Sequence, residues 1–156
     1  MHSLIENTRI VEAIPPSAGD VELVGDLVSL KHCQSLTVLV HVNQANAATV
    51  AITLEQAQDV SGTAAKAMAK DAPIYLVADA AASDTWIRQA DGVGFTTDAA
   101  LKHKLVALDV DAQHLDLENG FTCLRVKVGA SHAANLVAAQ YIAVGSRYGG
   151  ASLIVD

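Results

Sequence analysis

The stretch from Lys104 to Val128 constrains the fold of this chain more than any other segment. Its first part, KLVALDV, alternates at a period of two residues, which is the side-chain repeat of a β-strand. A second alternating run, from Phe121 to Val128, has the same character. Between the two runs lie residues typical of turns, namely Asp111, Asp116, Glu118, Asn119 and Gly120. The stretch therefore predicts two strands joined by an acidic, polar connection, and with it a β-rich scaffold.

Size and composition limit the kind of core that such strands can form. With 156 residues the chain is long enough for one domain with a single hydrophobic core. Apolar residues make up 51% of the chain but aromatic ones only 4%, so the core must consist of Ala, Val, Leu and Ile. The formal net charge of -7 argues against nucleic-acid binding, because the basic residues are outnumbered by acidic ones.

No segment has the features of a signal peptide or a membrane span. Glu6, Arg9 and Glu12 interrupt the apolar residues near the N-terminus, and no run reaches the roughly 18 apolar residues of a spanning helix. We therefore expect a soluble protein that is made in the cytoplasm and does not contact a membrane. Cys33 and Cys123 lie far apart in strand-like segments, which favours buried thiols over a disulfide or a nucleophile.

The chain divides into three predicted parts. Residues 1–20 predict an extended N-terminal arm, because Pro15 and Pro16 fix φ and remove two backbone donors. This arm has too few apolar neighbours to fold alone, so it must lie on the domain or on another subunit. Residues 21–148 predict the β-domain, and residues 149–156 predict an apolar C-terminal tail.

Several segments of the β-domain predict particular elements. Residues 36–42 predict a strand covered on both faces, and with residues 49–54 they form the clearest predicted hairpin. Residues 55–70 predict either a strand continued into a turn or one or two helical turns, with at most a short helix over residues 63–70. Residues 136–144 are apolar on both faces and predict a central strand. Many short strands without a repeated helical pattern indicate an all-β fold, an antiparallel β-sandwich or jelly roll.

The acidic residues of the central connection are the best candidates for a cation site, since hard cations prefer several carboxylate and carbonyl oxygens. These residues are Asp109, Asp111, Asp116 and Glu118. Their spacing does not match an EF-hand loop, because His114 stands where the sixth position requires glycine. A solvated turn that discourages aggregation between strands is the favoured alternative. No metal and no cofactor are predicted.

Other residues that could carry chemistry lack the spacing that chemistry requires. None of the six histidines is paired at i, i+2 or i, i+4, which predicts scattered surface positions and, for His41, a place on a sheet face. The chain has no nucleophile elbow, dinucleotide loop or P-loop. A pair of carboxylates converging from distant strands stays open. We therefore predict a binding protein and not an enzyme.

Four segments together resemble a known group of proteins. The segments are VSLKHCQSLTVLV (28–40), TLEQAQDVSGTAAKAM (53–68), LDVDAQHLDLENGFTCLRVKVGA (108–130) and SRYGG (146–150). In this order they resemble small structural proteins of tailed bacteriophages. The resemblance implies a virion component, and specifically a decoration or cement protein on the outer surface of the capsid. Such proteins are commonly β-rich and often trimeric, with arms that reach neighbouring subunits.

The resemblance also implies partners and a role. The expected partner is the major capsid protein, the expected oligomer is a homotrimer, and the expected role is to stabilise the expanded head. In this hypothesis the arm (residues 1–20) and the tail (residues 149–156) supply the contacts.

Two alternatives from other classes stay open. A module of a tail or head fibre that binds host carbohydrate would need exposed aromatic residues. Outside Phe95 and Phe121 the candidates are Trp86, Tyr75, Tyr141 and Tyr148. A small hydrolase would have to use the acidic cluster.

Overall fold

The computed structural model describes residues 4–146, and over this range the chain is built almost entirely of β-strands. The strands are β1 (Thr8–Ala18), β2 (Leu23–Val24), β3 (Val28–Ser29), β4 (Cys33–Asn43), β5 (Ala51–Ala57), β6 (Lys66–Ala67), β7 (Ile74–Val77), β8 (Ile87–Arg88), β9 (Gly94–Thr96), β10 (His103–Asp111), β11 (Cys123–Val128) and β12 (Leu136–Ser146). A single helical turn, α1 (Leu4–Asn7), precedes β1, and two 3₁₀ turns (Ala112–His114 and Leu117–Asn119) follow β10. No helix of the described range is long and apolar enough to cross a membrane.

The strands form two antiparallel sheets arranged as a sandwich, which confirms the predicted all-β fold class. The first sheet has the strand order β1-β12-β4-β10-β7-β8. The second has the order β2-β11-β5-β6, with β3 also pairing with β11 and β9 with β5. The long strands β4, β10 and β12 lie side by side in the first sheet, so they form its rigid centre.

Alternate residues of these long strands form the core between the sheets. On β4 the buried side chains are those of Leu36, Val38, Val40 and Val42. The second sheet faces them with the buried side chains of Ile52, Leu54, Leu124, Val126 and Val128. The core is thus aliphatic, as the composition predicts, and Tyr141 is its one fully buried ring among the described residues.

The predicted hairpin of residues 36–42 and 49–54 is wrong. Strand β4 pairs with β10 and β12 in the first sheet, whereas β5 pairs with β11 in the second. The intervening segment crosses the sandwich, and Gln44 holds it by donating hydrogen bonds to the carbonyl oxygens of Ala48 and Asp98. Each segment does form a strand, as its pattern indicates, but residues far away in the chain determine which strand it pairs with. The acidic connection between β10 and β11 crosses between the sheets in the same way.

Residues 8–18 of the predicted N-terminal arm lie on the domain, which is one of the two placements expected for the arm. Residues 8–18 form β1, an edge strand of the first sheet that pairs with β12 from Thr8 opposite Val144 to Ala18 opposite Leu136. The two prolines, Pro15 and Pro16, fall where the register shifts between Ile14 and Ser17, so their missing N–H groups interrupt no regular ladder. Most of the arm therefore belongs to the domain. The predicted tail, residues 149–156, lies outside the described residues.

The segment 63–70 forms no helix. Asp59 accepts hydrogen bonds from the backbone N–H groups of Ser61 and Thr63, and Gly62 has a φ of 89°. These contacts make a tight turn, after which β6 pairs with β5. The glycine supplies the positive φ that the turn needs, so the alanines that follow cannot begin a helix there.

Tyr141 ties the two sheets together. Its hydroxyl accepts a hydrogen bond of 2.9 Å from the backbone N–H of Val126 and donates one of 2.8 Å to the carbonyl of Asp26. Burial raises the pKa of Tyr141 above its usual range, so the hydroxyl keeps its proton. A side chain at Gly25 would come within 2.9 Å of this hydroxyl, which explains the glycine there.

Lys104 is a buried cation within the sandwich. Its side chain is 1% exposed, and its Nζ donates hydrogen bonds of 2.8 Å to Gln44 Oε1 and 2.6 Å to the carbonyl of Ala100. An ion pair of 2.9 Å with the carboxylate of Asp98 adds a third contact. The hydrogen bond from Lys104 lowers the pKa of Asp98. The ammonium group thus fastens the loop before β10 to the core.

Candidate assembly surface

The first sheet has one face packed against the second sheet and one face directed away from it. We call the outward-pointing residues of its four long strands the outer face. They are Ile10 and Glu12 on β1, Leu136, Ala138, Gln140, Ile142 and Val144 on β12, Thr37, Leu39, His41 and Asn43 on β4, and His103, Leu105, Ala107 and Asp109 on β10. Eight of these fifteen side chains are aliphatic, and the row that Val144 shares with Thr8, Ser35 and Asp111 adds three polar ones. Within the described residues, the second sheet packs only against the opposite face.

The antiparallel register sets these residues side by side in rows across the strands. One row contains Ile10, Ile142, Thr37 and Asp109, and the next contains Glu12, Gln140, Leu39 and Ala107. A third contains Ala138, His41 and Leu105. Each of the first two rows is half aliphatic and half polar, which is the mixed composition of a non-obligate protein interface. The exposed face of a fully solvated antiparallel sheet is more uniformly polar.

The sequence signal for this surface is the apolar character of two strands on both of their faces. Residues 36–42 were expected to be covered on both faces, but the described residues cover only the inner face of β4. Residues 136–144 do form an interior strand, β12, as predicted, and there too the outward side chains Ala138 and Ile142 are only half-buried. The described residues thus leave the outer face open on both strands.

The dimensions of the outer face suit a protein partner. Four strands at a spacing of about 4.8 Å and nine residues at about 3.4 Å each give a face of about 19 by 30 Å, or about 600 Å². About half of the face is aliphatic, so its apolar part, about 300 Å², is within the range of the largest apolar patches on monomers, about 300–600 Å². The whole face approaches the roughly 800 Å² that each partner buries in a specific complex. The size of the whole face is therefore what suits a protein partner.

Two shallow cavities indent the outer face. The larger, of about 300 Å³, is lined by Pro16, His41, Asn43, His103, Leu136, Val137 and Ala138. The smaller, of about 140 Å³, is lined by Leu39, His41, Leu105, Ala138 and Gln140. The face is therefore not flat, and it offers recesses to side chains or small ligands.

The acidic residues of the central connection do not converge. Asp109 accepts a 2.6 Å hydrogen bond from the Thr37 hydroxyl on the outer face, and Asp111 caps the first 3₁₀ turn. Asp116 forms an ion pair of 2.8 Å with Lys66, whose hydrogen bond lowers the pKa of Asp116. Glu118 is exposed. No group of three potential metal ligands among His, Cys, Asp and Glu occurs in residues 4–146. The cluster therefore serves caps and ion pairs, and a hydrolase built on it has no geometric support.

The histidines are distributed over several parts of the surface. The structure places His41 and His103 on the outer face, His32 before β4, and His114 and His132 in turns, while His2 lies outside the described residues. The Nδ1 atom of His114 accepts the backbone N–H of Asp111. That of His132 accepts the N–H of Ala134. The sequence did not indicate that His41 and His103 would share a cavity, because 62 positions separate them in the chain.

The aromatic residues that were candidates for stacking on a sugar differ in their exposure. Trp86 is 43% exposed, just before β8, and Tyr75 is half-buried with the guanidinium of Arg88 5.3 Å from its ring. Tyr141 is buried, as described above, and Tyr148 lies outside the described residues. Phe121 is buried under Lys66. Only Trp86 among the described aromatic residues is therefore well placed to stack on a ligand.

Both cysteines are buried and neither forms a disulfide, as predicted.

The fold and the surface together define an antiparallel β-sandwich with one sheet face of mixed aliphatic and polar side chains that no described residue covers. No family model matches the sequence, and no curated protein matches it. Among solved structures the chain is similar to the SPBc2 prophage-derived protein YomS, with a TM-score of 0.51 and 13% sequence identity. The similarity covers 89% of this chain and 94% of YomS. The two proteins therefore share a fold over nearly their whole lengths. A second similarity, to the structure of infectious bursal disease virus Gx strain, has a TM-score of 0.25, which is too low to indicate a shared fold.

Proposed function

We propose that this chain is a structural protein of a bacteriophage particle, and specifically a decoration protein that binds the outer surface of the capsid. Its partner in this proposal is the major capsid protein. Its role is binding and not catalysis. The observation that carries the proposal is the outer face, a broad sheet face of mixed aliphatic and polar side chains on a domain with a net charge of -7.

Two further observations support a phage origin. The fold is shared with a prophage-derived protein along almost all of both chains. The four sequence segments that resemble small phage structural proteins contain β3, β6 and β11, most of β4 and β5, and the end of β10 with the acidic connection that crosses between the sheets. The resembling segments thus contribute strands to both sheets.

The physical role follows from selective binding. A protein that binds across subunit boundaries only in the expanded shell stabilises that state by mass action. A homotrimer is part of the proposal, because a heterologous contact that closes after three copies gives a ring without a free end. Light scattering of the purified protein tests this part, and a mass three times that of one chain is the expected result.

The structure changes which segments we propose as contacts. Removing residues 1–20 would delete the edge strand β1, so the loss of binding would not be informative. Leu4 and Ile5 in α1 are better candidates, since they are 59% and 72% exposed. They lie beside the end of β12, close to Val144 of the outer face.

The test is co-sedimentation with expanded shells of the encoding phage that were assembled without this protein. We expect the protein to bind and to raise the melting temperature of the shells. The variant Leu136→Asp with Val144→Asp should weaken binding at least tenfold, because both positions are on the outer face. The matched control is Val24→Asp with Leu117→Asp, which changes two equally exposed aliphatic residues elsewhere. Absence of binding by the unmodified protein would refute the decoration role, and equal binding by both variants would refute the use of the outer face.

A second candidate function is carbohydrate binding, which the exposure of Trp86 favours. An indole ring that is half-exposed next to Ile87 and Arg88 offers an apolar platform with an adjacent charge. Binding on a glycan array that disappears in Trp86→Ala, with the fold retained, would support this function. An array without any positive glycan would exclude it for the sugars tested.

A further inference from the structure

His41 and His103 lie on neighbouring strands and point in the same direction. In the register of β4 and β10, His41 is opposite Leu105 and His103 is opposite Asn43. The two histidines are therefore diagonal neighbours on the outer face. Diagonal neighbours in an antiparallel pair have Cβ atoms about 7 Å apart, within reach of long or aromatic side chains. Two imidazole rings at such positions can approach one common ligand.

Both imidazoles border the same cavity of about 300 Å³. The side chain of Asn43 borders it too, and Pro16 and Leu136 contribute apolar walls. A water molecule occupies about 30 Å³ in the liquid, so the cavity has room for an ion together with several waters. The space is open to solvent, which gives an ion a path of entry.

Neither imidazole is engaged elsewhere. Within residues 4–146, the imidazole side chains of His41 and His103 form no hydrogen bond and no ion pair, whereas those of His114 and His132 each accept a backbone N–H through Nδ1. Coordination of a metal requires a ring nitrogen with an available lone pair. The pair on the outer face meets this requirement, and it does so without breaking any contact of the fold.

We propose that His41 and His103 form a solvent-open binding site for Zn²⁺ or a similar transition-metal ion. Imidazole nitrogen is a preferred ligand of Zn²⁺, Cu²⁺ and Ni²⁺, whereas Ca²⁺ and Mg²⁺ require oxygen ligands. The carboxamide oxygen of Asn43 and water molecules would complete the coordination. The net charge of -7 raises the local concentration of cations around the protein. This inference is independent of the proposed role on the capsid.

One substitution in the cavity should strengthen Zn²⁺ binding, in contrast to substitutions of the two histidines, which should weaken it. Ala138 lines the same cavity and is opposite His41 in the pairing of β12 with β4. Ala138→His would add a third imidazole to the pair. Three histidines with one open position are an established set of ligands for Zn²⁺. This variant should therefore bind Zn²⁺ more tightly if the cavity is the site.

The experiment is isothermal titration of the metal-free full chain with ZnCl₂, with CaCl₂ as a hard-cation control. We expect one Zn²⁺ per chain and no binding of Ca²⁺. His41→Gln and His103→Gln should each weaken Zn²⁺ binding at least tenfold, since loss of even an outer-shell partner costs about 10- to 100-fold. His132→Gln, in a turn away from the cavity, should leave the affinity unchanged, and Ala138→His should raise it at least tenfold.

Three results would overturn the proposal. They are the absence of saturable Zn²⁺ binding by the unmodified chain, unchanged affinity in both His41→Gln and His103→Gln, and an equal loss in His132→Gln. Circular dichroism of each variant verifies the fold. Because His41 and His103 are exposed and make no contacts that the fold needs, their substitution should leave the spectrum unchanged.

Discussion

Replacing Lys104 by methionine should destabilise the protein strongly, although it makes the core more apolar. The ammonium group of Lys104 is buried and bonded to Gln44 Oε1, to the carbonyl of Ala100 and to the carboxylate of Asp98. Methionine keeps most of the side-chain volume but removes every one of these contacts. The variant therefore tests whether the buried cation or the filled space matters for stability.

The loss of stability expected for Lys104→Met depends on whether water can replace the ammonium group at each of its partners. Asp98 is 68% exposed, so water can replace its ion pair, and a surface pair of this kind contributes only about 0–1 kcal/mol. A hydrogen bond to a charged group contributes about 1.5–3 kcal/mol, and Lys104 makes two of them to Gln44 and Ala100. The variant also escapes the cost of burying an ammonium group, which offsets part of this loss. We expect a net destabilisation of about 2–4 kcal/mol for Lys104→Met.

The assay is thermal and urea unfolding followed by circular dichroism, with Asp98→Asn as the comparison. For a chain of this size 1 kcal/mol corresponds to about 2–4 °C in Tm, so Lys104→Met should lower Tm by about 5–15 °C. Asp98→Asn should lower it by no more than about 4 °C, since that substitution removes only the exposed partner.

Two outcomes would refute the reasoning. If Lys104→Met is as stable as the unmodified chain, apolar packing replaces the buried cation without loss, as happens for some buried ion pairs. If Asp98→Asn is as destabilising as Lys104→Met, the ion pair carries the stability and the neutral oxygen partners do not.

Three further predictions concern the sandwich itself. Tyr141→Phe should cost about 1–3 kcal/mol in urea unfolding, because it leaves a buried backbone N–H without its acceptor; an unchanged midpoint would mean that the inter-sheet bond is not needed. Gly94→Ala should cost about 1–3 kcal/mol, because the new Cβ would lie 2.5 Å from the carbonyl oxygen of Ile52, and a variant as stable as the parent would contradict this close approach. Burial raises the pKa of Glu55, but the hydrogen bond and charge of Arg125 outweigh it and hold the pKa below its usual value. Glu55 therefore stabilises the folded state fully above its unfolded-state pKa, and this stabilisation is lost as the pH falls through the lower pKa of the folded state. The melting temperature should drop between about pH 5 and pH 3, and it should drop less steeply in Glu55→Gln.

Much of the local structure could be predicted from the sequence. The alternation in residues 104–110 and 121–128 corresponds to β10 and β11, and the apolar run of residues 136–144 corresponds to β12. These predictions succeed because side chains alternate between the two faces of any strand, whatever it pairs with. The helix allowed in residues 63–70 is absent because the turn at Gly62 leads directly into β6.

The candidate surface could be predicted only in part. The apolar character of β4 and β12 on both faces indicated that both faces would be covered, whereas the described residues cover only one of them. The pairing of His41 with His103 could not be predicted, since no spacing rule relates residues that meet only through sheet register.

The sequence alone determined the all-β class, the positions of the long strands and the aliphatic character of the core, because periodicity and composition are local properties. The tertiary structure decided which sheet each strand joins, so that β4 and β5 separate instead of forming a hairpin and residues 8–18 become an edge strand. It also decided that no residue of the range 4–146 covers the outer face and that two distant histidines border one cavity. The physical reason is that strand partners are chosen by backbone hydrogen bonds and core packing between residues far apart in the chain, which no local pattern records.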